Sequence, residues 1–253
     1  MRPGLCALAC LLPSAGFAVD GPAAFATLIL DKTSVAPGGT LAVGVRLTAA
    51  PPWHWYWRNS GDSGLPPQLD WLLPPGWTAR SWRWPAPSLL TSGNGIALVR
   101  NDGILLADVR VPATAAASTL RIGVRIAWMA CHEACLPLDH TVMAAVTVGD
   151  DRTDAQATAQ LDRARADLPA PTPASLHRHG AAWRLVVPGF SNADAVFLPD
   201  SGGWHEAPTA IPGNGGSLTL VPRAGIDRPA RLGGVVLGAS RAAAIDLAWP
   251  SHP

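Results

Sequence analysis

Residues 119–131 read TLRIGVRIAWMAC, in which apolar side chains alternate with polar or small ones. Successive side chains of a β-strand point to opposite faces of its sheet, so every second residue of this stretch shares a face. One face is apolar and is the predicted core; it consists of Leu120, Ile122, Val124, Ile126 and Trp128. The other face carries Arg121, Arg125 and Met129 and ends at Cys131, which the alternation therefore predicts to be exposed.

The same alternation elsewhere in the chain predicts an all-β fold. After a Pro-Gly-Gly turn at 37–39, apolar residues alternate over 41–47 as in a half-buried antiparallel strand. Similar patterns occupy 95–111 and 141–148. Gly and Pro, 25 of each in 253 residues, exceed their usual combined share of ~12%. Such frequent turn residues favour short strands packed as β-sandwiches.

A helix and a proline-rich segment divide the chain into two predicted sandwich domains. Residues 154–168 have the Ala-rich composition of a helix, and Pro169, Pro171 and Pro173 then end it and form a semi-rigid extended connector. The segment beyond them again shows short strand patterns separated by turns, and it contains no cysteine. We therefore predict a first β-sandwich over 19–150, a helix and linker over 151–174, and a second β-sandwich over 175–253.

The first 18 residues are typical of a secretory signal peptide. The opening MRP precedes an apolar stretch over 4–12 and the small-x-small pattern AGFA at 15–18. A buried N-terminal segment and a lipoprotein-type anchor at Cys10 are the alternatives. Elsewhere charged residues interrupt every apolar stretch within the ~20 residues that a membrane-spanning helix needs. We therefore expect an exported, soluble mature protein whose only thiols are Cys131 and Cys135, in an oxidising compartment.

The charge balance excludes several classes of partner. The chain has 19 Lys and Arg against 18 Asp and Glu, a formal net charge of +1. Nucleic-acid binding needs a basic surface, and docking to anionic lipid needs a polybasic segment, so neither is expected. Hydrophobic residues make up 48% of the chain and charged residues only 15%, which also excludes the composition of an intrinsically disordered protein.

The two cysteines of the predicted mature chain enclose a three-residue loop, CHEAC at 131–135. Such a loop can form a short hairpin that brings the flanking Cα atoms close enough for a disulfide. A disulfide across about five residues removes only ~2 kcal/mol of unfolded-state entropy. Because a local, surface-facing pair is suited to exchange with other proteins, a redox-active pair and a structural disulfide both stay open as hypotheses.

A copper site is a third hypothesis for this motif. Cys131, His132 and Cys135, with Met129 nearby, are soft ligands that suit Cu(I). For a redox pair, a protonated His132 would stabilise a thiolate, and Glu133 would oppose it.

Aromatic residues concentrate between 53 and 84, where seven of the eleven tryptophans lie. In WHWYW at 53–57, alternation places the three tryptophans on one face of a strand and His54 with Tyr56 on the other. A core-facing aromatic surface, a platform for a sugar and a wall that shields the cysteines are the open alternatives. No Ser/His/Asp set or carboxylate pair is placed for hydrolysis, so hydrolytic catalysis is not expected.

Four ordered blocks of the sequence resemble the periplasmic N-terminal region of the DsbD/ScsB-type protein-disulfide reductases, the thiol:disulfide interchange protein family. The blocks are WHWYWRNSGDSGLP at 53–66, DWLLPPGW at 70–77, WPAP at 84–87 and WMACHEACLP at 128–137. Four blocks in order are far more specific than a lone pair of cysteines. The resemblance is strong over about 25–150 and weaker over 175–250.

The resemblance implies an immunoglobulin-like domain whose cysteines relay electrons without a cofactor. The redox pair would be Cys131 and Cys135, with the second cysteine forming the mixed disulfide. The pair would receive electrons from a membrane-embedded DsbD/CcdA-like donor and pass them to periplasmic thioredoxin-like proteins. Candidates for tuning or shielding the pair are His54, Tyr56, Trp57, Trp128, His132 and Glu133. ScsB-type relatives are associated with copper tolerance, which keeps the copper hypothesis open.

The sequence departs from the family pattern in two places. The chain ends at Pro253 without the membrane domain and the thioredoxin-like domain of such reductases. We therefore expect an oxidoreductase component that depends on a donor on a separate chain. The segment 91–103 also lacks the aromatic residue of a cap loop that shields the disulfide in relatives. Either a tryptophan from the 53–84 cluster replaces it, or the pair is more open. A binding module with an inert disulfide is the remaining alternative.

Overall fold

The computed structural model describes residues 24–93, 95–180, 182–190, 195–200, 217–220 and 231–250. The predicted signal peptide and Cys10 lie outside these ranges. Within them the chain forms one helix and the following strands: β1 (Ala24–Leu30), β2 (Lys32–Val35), β3 (Thr40–Ala49), β4 (Trp55–Gly61), β5 (Gln68–Leu72), β6 (Thr78–Ala79), β7 (Ser88–Ser92), β8 (Gly95–Arg100), β9 (Asp102–Arg110), β10 (Ser118–Cys131), β11 (Cys135–Val148), β12 (Arg152–Thr153), β13 (Ala170–Pro171), β14 (Ser175–His179), β15 (Ala182–Val186), β16 (Val196–Pro199), β17 (Ser217–Leu220), β18 (Arg231–Leu237) and β19 (Ala242–Ala248). The helix is α1 (Ala155–Ala166). The predicted all-β fold class is confirmed.

Two sheets form the first sandwich. One has the strand order β1-β3-β9-β6 and the other β12-β2-β11-β10-β5. The apolar face predicted for 119–131 lies between them: Ile122, Val124 and Ile126 are fully buried and Trp128 nearly so. The alternating residues of β3 meet this face from the opposite sheet, where Val45 and its neighbours are also fully buried. The period-2 pattern therefore identifies the core correctly, because each strand has one face in the sandwich.

A third, smaller sheet with the order β4-β8-β7 lies against the end of β10. Strand β4 pairs with β8 at Trp55 and Tyr56, then loses the register until Gly61. Four residues of β4, 57–60, thus lie opposite one residue of β8. We call this enlarged irregularity the bulge in β4; like a β-bulge, it bends the strand and redirects its side chains.

Helix α1 packs on the outer face of the first sheet. Its N-cap is Asp154, whose side chain accepts a hydrogen bond from the Ala157 amide, which satisfies one of the free donors of the first turn. Leu161 and Ala164 are the buried residues of the helix, and they contact Leu106 of β9. No helix in the described part of the chain has the length and hydropathy needed to cross a membrane.

The C-terminal sheets have the orders β13-β19-β18-β16 and β14-β15-β17 and share one apolar core, which includes Leu185, Phe197, Leu220 and Val236. Strand β12 pairs with β2 of the first sandwich, and β13 pairs with β19 of the C-terminal sheets. The two ends of the helix and linker segment are thus paired with different sandwiches, and the division at 150 and 174 stays a prediction.

Candidate functional site

Cys131 and Cys135 form a disulfide at the tip of the β10–β11 hairpin. The two strands pair without interruption from Ser118 and Val148 to the two cysteines, which face each other as register partners. The Cα atoms of the cysteines are 4.1 Å apart. The His132 amide donates a hydrogen bond to the Ala134 carbonyl, 3.1 Å away, and closes the loop between them. A long ladder of backbone hydrogen bonds therefore holds the disulfide in place.

The two cysteines differ sharply in exposure. Cys131 is 1% exposed, whereas Cys135 is exposed. The prediction that Cys131 lies on an exposed face is wrong. The face itself is open further down the strand, at Arg121 and Arg125, but Ala97 and other residues of the β4-β8-β7 sheet cover it at the tip. Periodicity along one strand cannot show that a second sheet covers the same face.

The cover over Cys131 consists of Tyr56, Ala97 and Val99, with Met129 at its margin. Two of these residues belong to β8, within the segment that lacks the expected aromatic cap residue. Among the described residues no tryptophan belongs to this cluster. The two cysteines differ, because Cys131 is covered whereas Cys135 is open. The covering aromatic residue is the tyrosine of β4, and small aliphatic side chains complete the cover.

His54 fixes the backbone of Cys131. The His54 amide donates to the Cys131 carbonyl at 2.9 Å, and the Cys131 amide donates to the His54 carbonyl at 2.8 Å. The His54 side chain is 9% exposed, and its ring meets the Tyr56 ring edge-on, with centroids 5.5 Å apart. Burial lowers the pKa of His54, and the nearby His132 lowers it further by charge repulsion. His54 therefore favours the neutral form next to the disulfide.

Tyr56 is the side chain that reaches the exposed sulfur. Its hydroxyl lies 3.9 Å from Cys135 Sγ, and because a disulfide sulfur carries no proton, the hydroxyl is the donor. Gly64 packs directly on the Tyr56 ring: a Cβ at Gly64 would lie 2.1 Å from Tyr56 Cζ, and the glycine has φ +82°. The Ser60 hydroxyl donates to the Gly64 carbonyl at 3.1 Å. The turn after β4 thus holds the tyrosine in place.

Gly64 is a residue whose role the sequence analysis missed, although it stands in the first quoted block. The signal was its place in SGDSG, where two glycines flank a polar turn. A glycine that allows close approach to a ring is indistinguishable in sequence from a glycine that only allows a turn.

The remaining predicted residues divide into two groups. His132 and Glu133 are exposed in the loop between the cysteines, and Trp53 meets the His132 ring edge-on at 6.1 Å. Trp57 and Trp128 are buried in apolar clusters other than the one that contains Cys131. Trp128 Nε1 donates to His140 Nδ1 at 3.0 Å. The roles of His132, Glu133, Trp57 and Trp128 in tuning the disulfide stay predictions. Any effect of the two tryptophans is indirect, because neither belongs to the cluster around Cys131.

The tryptophan cluster belongs mainly to the core. Trp55 and Trp57 are fully buried and Trp77 is nearly so, while Trp71 stacks on Trp82 with centroids 4.5 Å apart. These contacts favour the core-facing alternative over a sugar platform.

The copper hypothesis gains no further ligand from the fold. In the ranges that the structure describes, no three His, Cys, Asp or Glu side chains are grouped so that they could hold a metal ion. The two candidate cysteine ligands are bonded to each other in the disulfide. The site of Cys131, His132 and Cys135 stays a prediction for the reduced protein.

At the tip of the β10–β11 hairpin, only one sulfur of the disulfide is accessible to attack by a thiolate of another protein. Residues 27–147 match the family described as "Thiol:disulfide interchange protein DsbD, N-terminal". This part of the chain is therefore similar to the N-terminal domain of DsbD, and the match confirms the resemblance seen in the four sequence blocks. The match and the cysteine pair together support a thiol:disulfide interchange module.

The fold as a whole is similar to a solved structure, "Crystal structure of the N-terminal periplasmic domain of ScsB from Proteus mirabilis". The two share 15% sequence identity with a TM-score of 0.62, and the similarity covers 89% of this chain and 92% of that chain. It therefore includes the C-terminal sheets, which lie outside the matched family region. None of the curated proteins matches the chain.

Proposed function

We propose that this chain exchanges thiols and disulfides with partner redox proteins, and that Cys135 is the cysteine that forms the mixed disulfide. The observation that carries the proposal is the unequal exposure of the pair. A partner thiolate must approach the sulfur that it attacks. Cys135 is accessible to such a thiolate, whereas the β4-β8-β7 sheet covers Cys131.

The exchange proceeds in two balanced steps. A partner thiolate attacks Cys135 Sγ, the Cys131–Cys135 bond breaks, and Cys131 leaves as a thiolate that takes up a proton. A second thiolate of the partner then attacks its own sulfur in the mixed disulfide and releases Cys135 as a thiolate. The partner gains a disulfide and this chain gains a dithiol, so two electrons have moved. The reverse sequence passes them to the next protein.

Three side chains determine how well Cys135 serves as a nucleophile and leaving group. The Tyr56 hydroxyl lies where it can donate a hydrogen bond to a Cys135 thiolate, and hydrogen bonds to a charged acceptor are the stronger kind. A protonated His132 favours the thiolate, and Glu133 disfavours it. The reactivity of Cys135 therefore reflects a balance between these groups.

The proposed partners follow from the relay hypothesis. Electrons reach the chain from a membrane-embedded DsbD/CcdA-like donor on a separate chain and continue to thioredoxin-like proteins of the periplasm. The periplasmic location of the ScsB domain and the DsbD family match support this assignment. The charge balance of the chain, at +1, fits protein partners better than nucleic acid.

The reduction potential of the cysteine pair tests whether the disulfide is exchange-active. The protein is equilibrated in graded dithiol buffers, alkylated and analysed by mass spectrometry. We expect a potential between about −270 and −120 mV, the span of known exchange proteins. A potential below about −300 mV is typical of a structural disulfide and would overturn the proposal.

Single-cysteine variants test which sulfur exchanges. Cys131→Ser retains the exposed thiol and Cys135→Ser retains the covered one, so the two variants serve as controls for each other. With oxidised glutathione as the probe, we expect Cys131→Ser to form the mixed disulfide at least about tenfold faster, because covered thiols are less accessible. Equal rates, or a faster reaction of Cys135→Ser, would contradict the assignment of Cys135.

A further inference from the structure

The bulge in β4 brings three consecutive residues to the C-terminal sheets. After Tyr56 the strand leaves its register with β8, and Trp57 becomes fully buried against Leu198 and Val235. Leu98 of β8 belongs to the same cluster. This apolar contact joins the small β4-β8-β7 sheet to the edge strand β16 and its neighbour β18.

Polar contacts reinforce the same interface. Asn59 Nδ2 donates to the Pro199 carbonyl at 2.7 Å, and Arg58 forms an ion pair with Asp200. The Arg58 guanidinium also lies 4.5 Å from the centroid of the Trp57 ring, a cation–π contact. Asn59 is 8% exposed, and the side chain of Arg58 is 28% exposed. Asn59 and Arg58 are thus largely shielded from water, whereas Asp200, whose side chain is 41% exposed, lies at the margin of the interface.

The two charged residues at the interface have pKa values shifted by burial. Burial lowers the pKa of Arg58, although Asp200 partly offsets the effect. Burial also raises the pKa of Asp200, which Arg58 in turn partly offsets. Among the described residues Arg58 Nε is buried without a hydrogen-bond partner.

The opposite face of the same two strands covers the disulfide. In β8, Ala97 and Val99 contact Cys131, whereas Leu98 between them contacts the C-terminal sheets. In β4, Tyr56 faces the cysteines and Trp57 faces the C-terminal sheets. Because side chains alternate between faces, a shift of either strand moves both contacts together.

We propose that the C-terminal sheets hold the β4–β8 cover closed over Cys131, with Trp57, Asn59 and Asp200 as positioning residues. The inference rests on the proposed function, in which Cys131 is the protected sulfur of the pair. It assigns the C-terminal sheets a role in controlling the site: they set how often the cover opens and hence how selectively Cys135 reacts. None of the three residues touches the reacting sulfurs.

Alkylation of the reduced full-length protein tests the proposal. Iodoacetamide is the probe, and mass spectrometry follows the modification of each cysteine separately. In Leu198→Ala, which removes apolar contact from the interface, we expect Cys131 to react about tenfold faster, because local opening becomes more frequent. We expect the cover to stay closed most of the time in this variant, so that Tyr56 still contacts the exposed Cys135 and the Cys135 rate stays within about twofold. Asp200→Ala, a change at a more exposed position, is expected to act in the same direction.

The controls distinguish an effect of the interface from a general loss of stability. Leu220→Ala removes an equally buried leucine from the C-terminal core, outside the interface cluster, and we expect the Cys131 rate to stay unchanged. Asp200→Glu keeps the carboxylate, and we expect it to retain the wild-type ratio of the Cys131 and Cys135 alkylation rates. An unchanged Cys131 rate in both interface variants, or an equal increase in Leu220→Ala, would overturn the proposal.

The alkylation assay uses no partner protein and no reduction potential. A failure of the proposed exchange function would be detected in the reduction potential of the wild-type protein and in the rates at which the single-cysteine variants form mixed disulfides. A failure of the positioning role would be detected only in the interface variants, so the two outcomes are distinguishable.

Discussion

Tyr56 is the only tyrosine of the chain, and its hydroxyl is the polar group that meets the exposed sulfur. We expect Tyr56→Phe to slow alkylation of reduced Cys135 at neutral pH by about three- to tenfold. Loss of a hydrogen bond to a charged acceptor, ~1.5–3 kcal/mol, lowers the thiolate population by about ten- to hundredfold, and the greater nucleophilicity of the more basic thiolate offsets about half of this effect on a logarithmic scale. The pH dependence of the alkylation rate measures the effect. The ring remains in the variant, so the cover over Cys131 is retained.

The matched control is the Cys131 rate in the same Tyr56→Phe protein, which we expect to stay at the wild-type value. A faster Cys131 reaction would mean that the hydroxyl holds the cover. An unchanged Cys135 rate would mean that the hydroxyl does not stabilise the thiolate.

His54 gives the site a predicted sensitivity to acid. Its folded-state pKa lies below the unfolded value of ~6.5, because of burial and then because of His132. The unfolded chain therefore binds more protons at low pH, and the contribution of His54 to stability is present above the unfolded pKa and lost as the pH falls through the folded pKa. We expect the free energy of unfolding in urea to fall between pH 7.5 and 5.

His132→Gln is the informative comparison for this pH dependence. It removes the repulsion between the two histidines, so the pKa of His54 rises and the loss of stability at pH 5 becomes smaller. A loss as large as in the wild type would exclude His132 as a cause. An unfolding free energy that does not change between pH 7.5 and 5 would contradict the neutral, buried state of His54.

At the scale of elements, the turn after β4 is the support for the tyrosine. We expect Gly64→Ala to destabilise the fold by at least ~1–3 kcal/mol, because alanine is strained at positive φ and its Cβ would overlap the Tyr56 ring. Urea unfolding measures the change.

Gly93→Ala, in the turn of the adjacent β7–β8 hairpin, is the matched control, since a Cβ there meets nothing within 4 Å. We expect that control to change stability by less than about 0.5 kcal/mol. Equal effects of the two substitutions would contradict the role of Gly64.

The elements of the first sandwich were largely predictable from sequence. Alternation identified the buried face of β10 and the strand over 41–47, and composition located α1 between 154 and 168. The cover was not predictable, because β4 and β8 show the same alternation as any strand. Nothing in the order Tyr56-Trp57 indicates that one residue meets the cysteines and the other meets a different sandwich. Those contacts depend on a bulge whose position the local sequence does not specify.

At the scale of the whole molecule, the disulfide contributes little to stability. Its loop is short, so in the chain-entropy model its loss costs only ~2 kcal/mol. We therefore expect the Cys131→Ser/Cys135→Ser double variant to remain folded, with a urea midpoint slightly below that of the oxidised protein and close to that of the reduced protein. Circular dichroism measures both the folded state of the variant and its urea midpoint. Loss of the folded state in the double variant would show that the disulfide is a structural requirement.

The interface between the two sets of sheets marks the limit of sequence-based prediction for this chain. Asn59 and Pro199 are 140 residues apart, and their contact depends on the arrangement of five sheets. The C-terminal segment contains no cysteine, and its polar residues form no motif that predicts a role. Its contribution lies in apolar residues such as Leu198 and Val235, which are indistinguishable in sequence from ordinary core residues.

Strands β10 and β11 are paired along their whole length, so the positions of the two sulfur atoms do not depend on which residues form the loop. Each strand is 14 residues long, and the ladder alone places Cys131 opposite Cys135. We therefore expect that residues 132–134 can be exchanged together, which changes the charge beside the disulfide and leaves the disulfide where it is. Inserting one residue into either strand has the opposite effect: it turns one cysteine to the other face of the sheet. Substitutions in the loop and insertions in the strands thus have separate consequences: the first change the charge beside the disulfide, and the second prevent the disulfide from forming.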